Sequence, residues 1–120
     1  MSGLTEREIK MLADIFEQIS AIEVGVLFGS RAMGTHRPAS DVDIVLYGSE
    51  LTYADILRAK VKIEETTLPY LFDLIVAGMI RNENLLTHIR KHGKTIYQRT
   101  DKAWDPDFTK MTPAEQSMLS

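Results

Sequence analysis

The residues best able to do chemistry lie between positions 29 and 43, in the stretch GSRAMGTHRPASDVD. Gly29 and Ser30 directly follow a short apolar run. Exposed backbone N–H groups and a hydroxyl at such a turn can hold phosphate oxygens. Arg31 and Arg37 belong to the same stretch, and their planar guanidinium groups suit phosphate as well. The segment therefore predicts an anion site that takes phosphate.

Three aspartates predict a cation site beside it. Asp41 and Asp43 are two residues apart on a predicted strand, so both carboxylates project from one face. Asp73 interrupts the apolar stretch LPYLFDLIV, and all three can meet if its strand neighbours that of Asp41 and Asp43. Like charges held side by side are costly unless a cation separates them. Oxygen ligands of this kind suit Mg²⁺ or Mn²⁺, and a two-metal site would support in-line phosphoryl or nucleotidyl transfer.

Helices and strands alternate along the chain, and they must position these groups. Apolar spacing and capping residues predict helices over residues 5–20, 52–66 and 82–92. Alternating apolar residues predict strands over residues 24–28, 41–47, 71–76 and 95–97. This order indicates an α/β (α+β) fold, in which helices pack against a small mixed β-sheet. We expect one domain over residues 1–100 and a polar C-terminal tail over residues 101–120 that docks on a partner.

Composition narrows the class of protein. The chain has 120 residues, no Cys and a net charge of −3. The absence of Cys excludes a disulfide framework, a cysteine nucleophile and a thiolate zinc site. The acidic balance argues against stable nucleic-acid binding. No apolar run reaches the roughly 18 residues of a membrane-spanning helix, so we expect a cytoplasmic protein without a membrane segment.

Some residues that can bind ligands are expected to do something else. His88 and His92 are four residues apart on the third long predicted helix, but no third metal ligand is evident, so they are expected to be surface histidines. His36 is expected to face solvent. Trp104, the one tryptophan, is expected to dock on this domain or on a partner.

The segment GSRAMGTHRPASDVDIVL resembles the G-S-x10-D-x-D signature of the DNA polymerase β-like nucleotidyltransferase superfamily. Over most of its length the chain resembles, in particular, the minimal nucleotidyltransferases, or MNT proteins. The resemblance implies that Asp41 and Asp43 bind both catalytic metal ions. It also implies that Asp73 binds one ion and helps to deprotonate the acceptor hydroxyl, and that Gly29 and Ser30 hold the triphosphate.

The chain departs from the family pattern at one position of the loop. Met33 stands where close relatives often carry the second Arg of G-S-R-A-R-G. Arg31 is therefore the arginine of this motif that we expect to contact phosphate.

The resemblance also implies a function and a partner. A minimal nucleotidyltransferase moves AMP from ATP, with Mg²⁺, to a tyrosine of a HEPN ribonuclease toxin and so acts as its antitoxin, in a homo-oligomer or hetero-oligomer. Two alternatives stay open. The chain could be a non-catalytic module that neutralises a toxin by binding it, or an enzyme that transfers the nucleotide to a small molecule such as an aminoglycoside.

Overall fold

A computed structural model describes residues 3–35, 37 and 41–99. Every helix and strand predicted from the sequence is present, with ends that differ by at most three residues. The helices are α1 (Glu6–Glu17), α2 (Ser30–Met33), α3 (Tyr53–Glu64) and α4 (Glu83–His92), with a short 3-10 helix at Ala77–Met79. The strands are β1 (Val24–Phe28), β2 (Val42–Tyr47), β3 (Phe72–Val76) and β4 (Lys94–Gln98). The predicted tail over residues 101–120, with Trp104, lies outside the described residues.

Local side-chain hydrogen bonds determine where the long helices begin. Thr5 accepts a hydrogen bond from the Glu8 amide while the Glu8 carboxylate accepts one from the Thr5 amide, and Thr52 and Asp55 do the same at α3. Asn82 caps α4 by accepting from two amides of its first turn. Each cap satisfies donors that a helix start would otherwise leave without partners, a stabilisation of typically about 1 kcal/mol.

The four strands form one mixed sheet in the order β3-β2-β1-β4. β1 pairs antiparallel with β2 and with β4, whereas β2 and β3 are parallel and are connected through α3. In this register Asp43 lies opposite Phe28 on one side and opposite Asp73 on the other. The sheet order therefore meets the condition under which the three aspartates can share one face.

Helices cover both faces of the sheet. The larger core lies beneath α1 and α3, and its strand side chains include those of Leu27, Val42, Ile44, Leu46 and Leu74. The smaller core lies beneath α4 and consists of Val24, Val26, Phe28, Val45, Tyr47 and Ile89. Side chains alternate along β2, so Asp43, between Val42 and Ile44, belongs to the face that α4 covers in part.

Within the described residues, no helix is both long enough and apolar enough to cross a membrane.

Candidate active site

The three predicted acids lie at one end of the sheet. Asp43 is the second residue of β2 and is half-buried, and Asp73 is its direct register partner on β3. Asp41 comes one residue before β2 begins and is exposed, as is Asp73. The sequence placed Asp41 inside the strand, but regular pairing begins only at Val42.

The electrostatics of the cluster centre on Asp43. Partial burial raises the pKa of its carboxyl, and the negative charges of Asp73 and then Asp41 raise it further. Both effects disfavour the ionised form, because the charge loses water and meets like charges. A cation between these carboxylates would reverse that cost.

The turn after β1 approaches this cluster closely. Gly29 has φ +78° and ψ −156°, a conformation that is open essentially to glycine alone. A Cβ atom at this position would overlap the carboxylate of Asp43. Position 29 therefore requires glycine for two reasons, its backbone angles and the close approach of the Asp43 carboxylate. The two halves of the motif are in contact.

The carboxylates fit a divalent cation in charge and in donor chemistry. The structure describes no group of three or more His, Asp or Glu side chains in residues 3–35, 37 and 41–99 that is arranged to hold a metal by itself. Mg²⁺ is generally bound by one or two carboxylates together with substrate phosphates and waters, rather than by a complete protein cage.

Ser30 and Arg31 begin α2 directly after the turn. Ser30 is half-buried, whereas the Arg31 side chain is only 2% exposed. The guanidinium carbon of Arg31 lies 4.8 Å from the centre of the Tyr70 ring, which fits a cation–π contact. The Tyr70 hydroxyl donates to the Glu8 carboxylate at 3.0 Å. This chain of contacts ties α2 to α1 and to the segment before β3.

The rest of the loop is described only in part. α2 ends at Gly34, which is in the left-handed conformation with φ 75°. Met33 is half exposed, and Arg37 is exposed. His36, which was expected to face solvent, lies outside the described residues.

The expectation that His88 is a surface histidine is wrong. Its ring is half-buried, packs edge-on against Phe28 at 6.5 Å between ring centres, and accepts a hydrogen bond at Nε2 from the Gly29 amide at 2.9 Å. The reason is tertiary, because α4 packs across β1 and brings His88 to the end of that strand. His92, one turn further along, is exposed as expected.

Three residues near the motif were missed by the sequence analysis: Glu8, Tyr70 and His88. Glu8 was recognised only as a helix cap. Tyr70 precedes a strand and carries no local sign of its partner, since the residue it bonds is 62 positions away. For His88 the sequence contains one sign of partial burial, its position next to the apolar residue Ile89 on an amphipathic helix.

Solved structures share this fold. One, described as a toxin–antitoxin with AMP-PNP, has a chain 21% identical, with a TM-score of 0.65, over 96% of this chain and 88% of that one. Another, of a tri-AMPylated Shewanella oneidensis HEPN toxin in complex with MNT antitoxin, has a chain 18% identical, with a TM-score of 0.59, over 98% and 87%. A third, the toxin–antitoxin MntA-HepT, matches at 18% identity and a TM-score of 0.57, over 94% and 84%. No curated protein sequence matches the chain.

The sequence also matches a family model. The model, Polymerase beta, Nucleotidyltransferase, covers residues 10–102, which is most of the chain and includes Gly29, Ser30, Asp41, Asp43 and Asp73. This confirms the superfamily inferred from the G-S-x10-D-x-D pattern. The chain belongs to the polymerase beta nucleotidyltransferase family.

Proposed function

We propose that this protein is an MNT-type antitoxin that transfers AMP from ATP to a hydroxyl group of a HEPN-family toxin. The observation that carries the proposal is the pairing of Asp43 with Asp73 beside the Gly29 turn, in a chain of this family. Carboxylates and a phosphate-binding turn in contact are the parts that nucleotidyl transfer needs.

Each site residue has a proposed role. Asp41 and Asp43 hold two Mg²⁺ or Mn²⁺ ions, and Asp73 holds one of them. Gly29 and Ser30 form the turn that holds the triphosphate, through the hydroxyl and backbone N–H of Ser30, because the Gly29 N–H donates to His88. The bound ions would neutralise the carboxylates and the phosphates and lower the pKa of the attacking hydroxyl. Arg31 has a proposed phosphate contact. Because its side chain is buried, we propose that it also supports the turn from below.

The reaction is an in-line displacement. The acceptor oxygen attacks the α-phosphorus of ATP, and a new P–O bond forms on the side opposite the leaving group. The bond from the α-phosphorus to the bridging oxygen breaks, and pyrophosphate leaves with the electron pair. Asp73, exposed on β3, accepts the proton of the acceptor hydroxyl.

The nature of the acceptor is supported by structures of similar fold. One holds an AMPylated HEPN toxin in complex with an MNT antitoxin, and another holds a toxin–antitoxin with AMP-PNP. We propose that the acceptor on the toxin is a tyrosine hydroxyl. The C-terminal segment 101–120 is a proposed docking segment for that partner, in the cytoplasm where ATP and Mg²⁺ are plentiful.

The test is transfer of label from α-³²P-ATP, with Mg²⁺, to a HEPN-family toxin that is co-expressed with this chain. We expect labelled toxin with the wild type and a loss of about 10²–10⁴-fold with Asp43→Asn, since a catalytic ion contributes several kcal/mol. Asp14→Asn is the matched control, because Asp14 is exposed on α1, away from the acids, and pairs with Lys10 on the same helix. Unlabelled toxin with the wild type, or full labelling with Asp43→Asn, would contradict the proposal.

Two glycine variants test the turn within the same assay. Gly29→Ala forces a side chain into φ +78° and against Asp43, so we expect transfer to be lost and the protein to be destabilised by about 1–3 kcal/mol. Gly78→Ala is the control, because a Cβ there meets no atom within 4 Å. It should leave activity unchanged and stability within about 0.5 kcal/mol.

The alternatives give different results. A module that acts only by masking would bind the toxin equally well in calorimetry with and without ATP and Mg²⁺. An enzyme for small molecules would release pyrophosphate with an aminoglycoside and leave the toxin unlabelled.

A further inference from the structure

The amide of Gly29 is already bonded to a side chain from the far end of the chain. It donates to Nε2 of His88 at 2.9 Å, across 59 positions of sequence. A nitrogen that accepts a hydrogen bond carries no proton, so this contact requires the tautomer of His88 that has its hydrogen on Nδ1. Most polar contacts of a helix are local, whereas this one connects α4 to the phosphate-binding turn.

The position of His88 is fixed by the packing of α4. Its neighbour Ile89 is 3% exposed and lies in the core with Val26 and Phe28. Gly93 ends the helix, and a Cβ there would come within 2.7 Å of Val26. The imidazole itself packs edge-on against Phe28, the last residue of β1. His88 is therefore held beside the turn by the helix that carries it.

The backbone of Gly29 depends on a contact such as this hydrogen bond to hold its conformation. Glycine loses more conformational freedom on folding than any other residue type, and its angles here lie in a region that other residues avoid. Rotation about Gly29 would redirect Ser30 and α2, which follow at once. The turn is thus fixed on two sides, by His88 at Gly29 and by Tyr70 at Arg31.

We propose that His88 is a positioning residue for nucleotide binding, which orients the Gly29–Ser30 turn toward the triphosphate by accepting the Gly29 N–H. This inference rests on the proposed function, because it assigns the turn to ATP. His88 acts through the backbone and takes no part in the chemical step. A single hydrogen bond of this kind is worth about 0.5–1.5 kcal/mol, or roughly a 2- to 10-fold change in affinity.

The test compares three variants in calorimetric binding of AMP-PNP with Mg²⁺. His88→Phe keeps a ring against Phe28 and removes the acceptor, so we expect roughly 2- to 10-fold weaker binding. His88→Gln places a carbonyl oxygen near the position of Nε2 and should recover most of that loss. His92→Gln changes the neighbouring, exposed histidine of the same helix and should bind like the wild type.

Two further readouts separate positioning from general damage to the fold. In the transfer assay, His88→Phe should raise KM for ATP and leave kcat within about 2-fold, whereas a misfolded variant lowers kcat as well. In NMR spectra of the protein without nucleotide, the wild type should show the Nδ1–H tautomer of His88 and a Gly29 amide that exchanges slowly. That amide should exchange faster in His88→Phe.

The outcomes distinguish failure of the proposed function from failure of the role proposed for His88. Absence of AMP-PNP binding by the wild type would overturn the proposed function together with this inference. Wild-type binding that His88→Phe leaves unchanged would overturn this inference alone, as would failure of His88→Gln to recover affinity. Tighter binding by His88→Phe would also overturn it, since the imidazole would then compete with the nucleotide for the Gly29 amide.

Discussion

At the scale of single residues, Asp43 joins every part of the site. Its carboxylate limits which residue can stand at position 29, it lies opposite Asp73, and its charge is opposed by two other acids. The same contacts that fit a cation therefore make the ionised form of Asp43 unfavourable in the metal-free protein. This unfavourable ionisation should be measurable as a pH dependence of the free energy of unfolding.

Asp43→Asn should remove a pH dependence of stability. Because the folded pKa of Asp43 is raised, its contribution is fully present below the ordinary aspartate pKa of about 3.9 and is lost as pH rises through the raised value. Without metal, the variant should therefore be at least as stable as the wild type at neutral pH, with an advantage that grows from about pH 4 upward.

Urea denaturation at a series of pH values, without divalent ions, measures this difference. Asp14→Asn is the control, because exposed ion pairs contribute little, and its difference from the wild type should not grow with pH. Loss of stability at every pH in Asp43→Asn would instead indicate that this aspartate has a structural role.

At the scale of elements, the short helix α2 depends on its neighbours. It has only four residues, Ser30–Met33, and a helix of that length is not stable by itself. Arg31 is buried beneath it against Tyr70, and Tyr70 is in turn bonded to Glu8 at the start of α1. The direction in which the turn presents Ser30 is therefore coupled to the N-terminal end of α1.

Tyr70→Phe should weaken this connection without emptying the space under α2. It keeps the ring beneath Arg31 and removes the hydroxyl that donates to Glu8, so we expect the free energy of unfolding to fall by about 1 kcal/mol. Chemical denaturation measures the change. Tyr53→Phe is the control, because Tyr53 is 63% exposed on α3, and it should stay within about 0.5 kcal/mol. Equal stability of Tyr70→Phe and the wild type would show that the hydrogen bond contributes nothing.

At the scale of the whole molecule, the order of the strands creates the site. The crossover through α3 places β3 beside β2, and α4 then covers part of the face on which Asp43 and Asp73 lie. The open part of that face carries the acids, and the end of β1 supplies the turn. A ligand that binds there contacts several elements at once and should stabilise the fold as a unit.

Mg²⁺ and AMP-PNP together should therefore raise the Tm. At 100 times the dissociation constant, binding stabilises the folded state by about 2.7 kcal/mol, which corresponds to a rise of roughly 10 °C for a domain of this size. Differential scanning calorimetry with each ligand alone and with both should show the large shift only for the pair. The shift should disappear in Asp43→Asn and persist in Asp14→Asn; an equal shift in both variants would place the nucleotide away from the acids.

The sequence by itself determined the elements and half of the site. Capping residues and apolar periodicity depend on residues about four positions apart, so the boundaries of α1, α3 and α4 could be predicted closely. Asp43 was likewise expected on this strand and lies there, whereas Asp41, which was expected beside it on the same strand face, precedes the strand by one residue. The motif was also specific enough to indicate the family.

Only the tertiary structure decided which distant residues join them. Asp73 lies beside Asp43 because β3 pairs with β2 in parallel, and His88 reaches Gly29 because α4 packs across β1. Arg31 is buried against Tyr70, a residue of the segment before β3 whose hydroxyl is bonded to Glu8 at the start of α1. The order of the strands and the packing of the helices depend on burying the apolar side chains of both sheet faces at the same time. That condition involves the whole chain, so a pattern of neighbouring residues does not contain it.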